Sequence, residues 1–196
     1  LRPDHRRRAC LGHDERRRFP RPRGRPVHAH RRGGSRLTCA RPVRAAGRGL
    51  KCCMVQFMKS KTDRYGEHES FDKLGIEVHT MGAGFTWDTK DKSVDIKTSE
   101  DTWALCVEKM RSNEYDLLVF DELLYVLCYG FLDIDVVIAE IRSVREAQPH
   151  LHLIMTGRNV DNALDRLIDE ADLVTEMREI KHPFHAGIYA QQGIEF

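Results

Sequence analysis

The residues best suited to chemistry fall at the ends of short apolar runs. Residues 117–120 read Leu-Leu-Val-Phe, and Asp121 and Glu122 follow at once. Two carboxylates emerging from a buried strand offer hard oxygen donors to a cation such as Mg2+, and in nucleotidases an acidic residue so placed holds the metal that neutralises phosphate oxygens. The competing role for Asp121 is to cap a helix over residues 123–127. Thr156-Gly157-Arg158 ends the apolar run 151–155. There Gly permits a tight exit and the Arg158 fork matches phosphate, or Arg158 is a solvated loop cation. Gln56 and Lys59 stand near the end of the run 52–58 and are candidates for nucleotide contact on the same grounds. Gly82-Ala83-Gly84-Phe85-Thr86-Trp87 sets two large aromatics in a Gly-rich loop. They suit a flat apolar ligand or anchor the loop on the core. His28-x-His30, His150-x-His152 and His182-x-x-His185 have no Cys or carboxylate at zinc-ligand spacing, so no zinc site is expected.

The elements that must position these groups alternate. Apolar runs at 52–58, 76–81, 116–120, 151–156 and 173–177 predict strands. Between them, apolar residues at three- and four-residue spacing predict helices. These cover residues 67–74 (closed by Gly75), 93–111, the stretch carrying Ile134, Val137, Ile138, Ile141 and Val144, and the stretch carrying Val160, Leu164, Leu167 and Ile168. Buried strands joined by helical crossovers define an α/β fold with a mostly parallel sheet covered on both faces, and ligands then bind at the carboxyl ends of the strands.

At 196 residues and 41% hydrophobic content, one domain with a real core is expected. No apolar run approaches the ~20 residues that span a bilayer. The six cysteines contain no C-x-x-C pair and read as reduced thiols of a cytosol-like compartment. The net charge of +2 conceals an asymmetry: residues 1–50 hold 16 Arg, no Lys and three acidic residues, and residues 51–196 hold 16 Lys plus Arg against 27 Asp plus Glu. Residues 1–43 show no sustained apolar period and are expected to be disordered. An Arg-rich, Lys-free stretch joined abruptly to ordinary composition is what an altered reading frame or a misjoined coding sequence produces. An arm that attracts nucleic-acid phosphate is the minority reading.

Taken together, residues 55–59, Gly84-Phe85-Thr86-Trp87-Asp88-Thr89, Asp121-Glu122-Leu123, Thr156-Gly157-Arg158 and the tail 171–196 resemble the bacterial ATP:cob(I)alamin adenosyltransferase family. The resemblance runs from about Arg44 to the C-terminus. It implies a P-loop NTPase-like fold, usually a cytoplasmic homodimer, that binds ATP with Mg2+ and a reduced corrinoid and is served by a reductant protein. Cobalt attacks C5′ of ATP and triphosphate leaves, in adenosylcobalamin synthesis or salvage. By position, Phe85 and Trp87 match aromatics that crowd the lower corrinoid face, Asp121 and Glu122 match the Mg2+ region, and Arg44, Gln56, Lys59 and Arg158 match residues around the nucleotide. Family members begin with a strand and a G-x-G-K-G-K-[ST]-T loop. No Lys precedes Lys51 here, and Arg31-Arg32-Gly33-Gly34-Ser35-Arg36 lacks the loop's lysine, so the first strand and phosphate loop are expected to be missing. A non-catalytic corrinoid-binding protein is the rival this departure suggests.

Overall fold

In the computed structural model, residues 27–31, 35–60, 62, 65–82, 92–158, 164–177, 179–189 and 191–193 are described. Six strands form one sheet: β1 (Val27–Arg31), β2 (Cys52–Ser60), β3 (Glu77–Gly82), β4 (Leu117–Asp121), β5 (His152–Gly157) and β6 (Leu173–Glu176), in the order β3-β2-β4-β5-β1-β6. Every pairing is parallel. The crossovers are helices α1 (Ser35–Ala46), α2 (Gly66–Leu74), α3 (Lys92–Arg111), α4 (Leu123–Cys128), α5 (Ile134–Ala147) and α6 (Asp165–Glu170). A 3-10 turn spans Pro183–Ala186. No helix among the described residues is long and apolar enough to cross a membrane.

The strand alternation separates two cores. Cys53, Val55 and Phe57 of β2, with Leu118 and Phe120 of β4 and Leu153 and Met155 of β5, face α3, α5 and α6 through Trp103, Cys106, Met110, Val137, Ile141 and Leu167. Cys52 and Met54, with Leu117, Val119 and Ile154, face the other way onto Phe71 of α2 and Cys39, Ala45 and Ala46 of α1. Adjacent cysteines thus pack into opposite cores, as small hydrophobes do. Cys39, Cys52, Cys53, Cys106 and Cys128 are all free thiols.

The α/β architecture is the one expected, with two corrections before residue 44. A strand occupies Val27–Arg31, paired on one side with β5 and on the other with β6, where the sequence predicts a missing first strand. A helix occupies Ser35–Ala46, where disorder is expected. The sequence Val-His-Ala-His-Arg offers no apolar run to betray a strand. Its place is fixed by ladder groups of β5 and β6 that would be unpaired without it, because buried backbone donors and acceptors must be satisfied.

Candidate functional site

Strand register assembles the site. Gln56 of β2 is paired with Thr80 of β3 on one side and with Asp121 of β4 on the other. Phe120 pairs with Met155, which sets Asp121 beside Thr156 of β5. Four polar side chains, Thr80, Gln56, Asp121 and Thr156, therefore cross four adjacent strands in one row near their carboxyl ends. They lie on the face covered by α1 and α2.

The row is hydrogen-bonded throughout. Thr156 Oγ1 donates to Asp121 Oδ1 (2.8 Å) and accepts from the Glu122 backbone N–H (3.0 Å). Gln56 Nε2 donates to Asp121 Oδ2 (3.4 Å), and Thr80 Oγ1 donates to Gln56 Oε1 (3.1 Å). His68, from α2, brings Nε2 within 2.8 Å of the same Gln56 oxygen. Asp121 is 3% exposed. Its pKa is raised by burial, against the opposing pull of Lys59 and of the Thr156 and Gln56 hydrogen bonds.

Glu122 sits immediately beyond, at φ 64, and occupies the position that caps α4. A non-glycine residue held there stores strain of about 1 to 3 kcal/mol. Its Oε2 is buried with no hydrogen-bond partner. Burial, then the Asp121 charge, raises its pKa to about 7, against the pull of Arg158 and Lys59. Asp121 is consequently not a helix cap: both of its oxygens are engaged across the sheet, and the cap position belongs to Glu122.

Lys59 pairs with Glu67 of α2 and lies over the Tyr65 ring at 4.5 Å. Burial alone would raise the Glu67 carboxyl, but the Lys59 hydrogen bond reverses that and lowers it. Arg158 lies over the Tyr125 ring at 5.7 Å, and its carbonyl accepts from the Cys128 thiol. Gly157 makes this exit possible. At φ 143 it occupies a conformation closed to other residues, and a Cβ there would stand 2.7 Å from Leu124 Cβ. Gly82 is equally constrained by contact, since a Cβ would meet the Lys59 carbonyl at 2.5 Å where β3 enters the aromatic loop.

Of the residues singled out from sequence, Gln56, Lys59, Asp121, Glu122 and Arg158 are brought to one end of the sheet. Arg44 is not. It is exposed in the last turn of α1, nine residues and roughly 13 Å of helix beyond Ser35 at 1.5 Å per residue. Phe85 and Trp87 lie outside the described residues. Thr156 is named from sequence only as part of the Thr156-Gly157-Arg158 motif, and Thr80 and His68 are the members that sequence reasoning missed. Cys39, on α1, also feels Glu67, Asp121 and Lys59, and burial first and then those carboxylates push its thiol up to about 11.

A second cluster lies toward the opposite end of the strands. Cys53, Glu77 and His79 bring one potential ligand atom each within 4.8 Å of one another. The Glu77 carboxylate is already engaged by Tyr115, Lys109 and His79, whose hydrogen bonds outweigh burial and hold its pKa down to about 2. The group is an ion-paired anchor between β3 and α3.

The donors at the carboxyl ends suit a hard divalent cation. Asp121, Glu122 and Thr156 supply only oxygen, and the orphaned Glu122 Oε2 is the kind of buried acceptor a cation satisfies. An all-parallel sheet with an acidic tip on β4 and with β5 between it and β1, the strand that precedes α1, has the architecture of a P-loop NTPase-like α/β fold. In agreement, the chain superposes on the flagellar accessory protein FlaH from Methanocaldococcus jannaschii with a TM-score of 0.51 at 9% identity, covering 80% of this chain and 71% of that one. This likeness concerns the fold alone.

The sequence signature described as ATP:corrinoid adenosyltransferase BtuR/CobO/CobP matches residues 30–196. A corrinoid adenosyltransferase from Sinorhizobium sp is 41% identical over 152 residues, 76% of this chain and 68% of the relative. One from Pseudomonas aeruginosa is 40% identical over 156 residues, 79% and 73%. The corrinoid adenosyltransferase CobA of Salmonella typhimurium is 34% identical over 155 residues, 79% and 75%. The chain belongs to the ATP:corrinoid adenosyltransferase family. The family match begins at residue 30, ahead of the boundary near residue 44 read from the motifs.

Proposed function

We propose that this chain transfers the 5′-deoxyadenosyl group of ATP to the cobalt of a reduced corrinoid, in adenosylcobalamin synthesis or salvage. The observation that carries this reading is the row Gln56–Asp121–Thr156 with Glu122, placed beside the β1–α1 junction in a chain of this family. A cobalt–carbon bond forms as the C5′–oxygen bond breaks, and triphosphate leaves with the bonding electrons. No protein nucleophile is required. The chain's task is to hold two substrates in line and to balance charge on the leaving group.

Asp121 and Glu122, with the Thr156 hydroxyl, would hold Mg2+, which when bound neutralises triphosphate oxygens. Lys59 and Arg158 supply the cationic side chains on the same edge, and Lys59 reaches Asp121 and Glu122 electrostatically. Phe85 and Trp87 supply the apolar surface for the corrinoid. The protein acts as a cytoplasmic homodimer, supplied with cob(I) by a reductant protein. The five cysteines among the described residues are free, which accords with a reducing compartment.

A second reading has its own observation. The β1–α1 connection begins Arg32-Gly33-Gly34 and has no lysine, so the group that ordinarily meets the β- and γ-phosphates is absent. On that reading the chain binds corrinoid without turning over ATP. Calorimetric titration separates the two: an adenosyltransferase binds ATP in the presence of Mg2+ and binds cobalamin, whereas the carrier binds cobalamin alone. Absence of both interactions rejects both readings.

A further inference from the structure

The position of the Gln56 side-chain amide is decided by residues outside the strand-tip row. An amide can present either its oxygen or its NH2 to a neighbour, and the two differ only in the bonds they make. Gln56 is 1% exposed, so bulk solvent does not reach a wrongly turned group. On one side lies Asp121 Oδ2, an acceptor at 3.4 Å. On the other lie the Thr80 hydroxyl at 3.1 Å and His68 Nε2 at 2.8 Å.

His68 is itself fixed. The Tyr65 backbone N–H donates to its Nδ1 (3.4 Å), so Nδ1 is the acceptor and the proton resides on Nε2. That nitrogen is then a donor and requires an oxygen opposite it. Thr80 also spends its proton on Gln56 Oε1. Two donors converge on one face of the amide and turn its NH2 toward Asp121. His68 is 8% exposed and sits at the third position of α2, where the same contact with Tyr65 completes a capping box. The start of α2 thereby communicates with the carboxylate at the tip of β4, 53 positions further along the chain than His68.

We propose that His68, together with Thr80, is a positioning residue for this site: it holds the Gln56 amide with NH2 toward Asp121, so that Asp121 is presented to a divalent cation as a singly oriented, hydrogen-bonded carboxylate. This rests on the reading of Asp121 as part of the Mg2+ site. Without His68 only Thr80 holds the amide oxygen, and the amide samples the turned geometry in which its oxygen faces the carboxylate. Two acceptors in contact inside the protein repel, and the carboxylate loses a charge-assisted bond of the stronger class.

Three variants in the full chain, and a Gln56→Leu background, test it with two readouts. The first is nuclear magnetic resonance of the metal-free protein. The wild-type His68 ring shows a protonated Nε2 and an unprotonated Nδ1, and the Gln56 side-chain NH2 gives a single shifted pair. In His68→Leu that pair moves toward free-amide values. In His68→Gln, whose amide can still donate to Gln56 Oε1, the pair stays near its wild-type place. Thr80→Val, which leaves the α2 cap intact, produces a smaller displacement in the direction of His68→Leu. The second readout is Mn2+ affinity, measured on the metal alone by paramagnetic resonance. His68→Leu weakens it by about tenfold, the scale of one lost hydrogen bond to a charged group. His68→Gln restores it to within about threefold of wild type, and in a Gln56→Leu background His68→Leu has no further effect. An Nδ1-protonated His68, or His68 and Gln56 losses that simply add, overturns the proposal. Intact His68 and Gln56 signatures with no Mn2+ binding by the wild type overturn instead the placement of the metal at Asp121.

Discussion

Replacing Glu122 by glutamine is expected to stabilise the metal-free chain, by an amount that grows as pH rises from about 4.5 to about 7. The carboxyl is buried beside Asp121, and its pKa rises from 4.5 to about 7 on folding. The folded state therefore holds this proton more tightly than the unfolded chain. Below pH 4.5 the group is protonated in both states and contributes nothing. As pH rises from 4.5 to about 7 the unfolded chain ionises freely, the folded chain resists, and stability falls; above about 7 the loss is complete. At about 1.4 kcal/mol for each tenfold change in proton affinity, the full loss is about 3 kcal/mol. Glutamine has the same shape and no charge, so it escapes this cost while keeping the positive φ. Urea denaturation in chelator at pH 5, 6, 7 and 8 reads the difference directly. Glu122→Gln should exceed wild type by only about 1 kcal/mol at pH 5 and by about 3 kcal/mol at pH 8. A difference independent of pH, or a less stable variant at pH 8, would refute the claim that an uncompensated buried charge sits there.

Other perturbations have equally definite outcomes. Gly157→Ala, which forces a side chain to φ 143 and to 2.7 Å from Leu124 Cβ, should cost about 2 to 4 kcal/mol in chemical denaturation; a cost under about 0.5 kcal/mol would show that the exit after β5 is not strained. Asp121→Asn should abolish Mg2+-dependent ATP binding in calorimetry while cobalamin binding persists, and retained nucleotide affinity would remove Asp121 from the metal site. Phe85→Ala and Trp87→Ala should each weaken cobalamin binding at least tenfold with ATP affinity unchanged, and the opposite pattern would detach the aromatic loop from the corrinoid. Cys39, with a thiol pushed up to about 11, should react with iodoacetamide far more slowly at pH 7 than an unfolded control, with the rate climbing toward pH 10.

The parts of the fold visible in the sequence were those whose burial is written in side chains. The run Leu-Leu-Val-Phe of β4 and the spacing of Val137, Ile138, Ile141 and Val144 on α5 leave little choice of element. β1 was invisible because Val-His-Ala-His-Arg carries no such pattern, and only the vacancy between β5 and β6 makes it a strand. The site divides the same way. Asp121 and Glu122 stand out at the end of an apolar run, yet sequence leaves open whether Asp121 caps a helix, and only the bonds from Thr156 and Gln56 decide that. His68 and Thr80 lie 12 and 24 positions from Gln56. No local spacing links them, because their meeting depends on the β2–β3 register and on where α2 begins. Arg44 shows how sequence proximity differs from proximity in space. A cation near a nucleotide motif in sequence stands at the far end of its helix in space.

Anaerobic incubation of this chain with cob(I)alamin, ATP and Mg2+, followed by the light-sensitive spectrum of adenosylcobalamin and the release of triphosphate, reads the transfer itself. The expected result is one triphosphate for each adenosylcobalamin formed, lost when Asp121 is replaced by Asn. Cobalamin that binds tightly but stays unadenosylated, with no triphosphate released, would contradict the transferase and leave a corrinoid carrier.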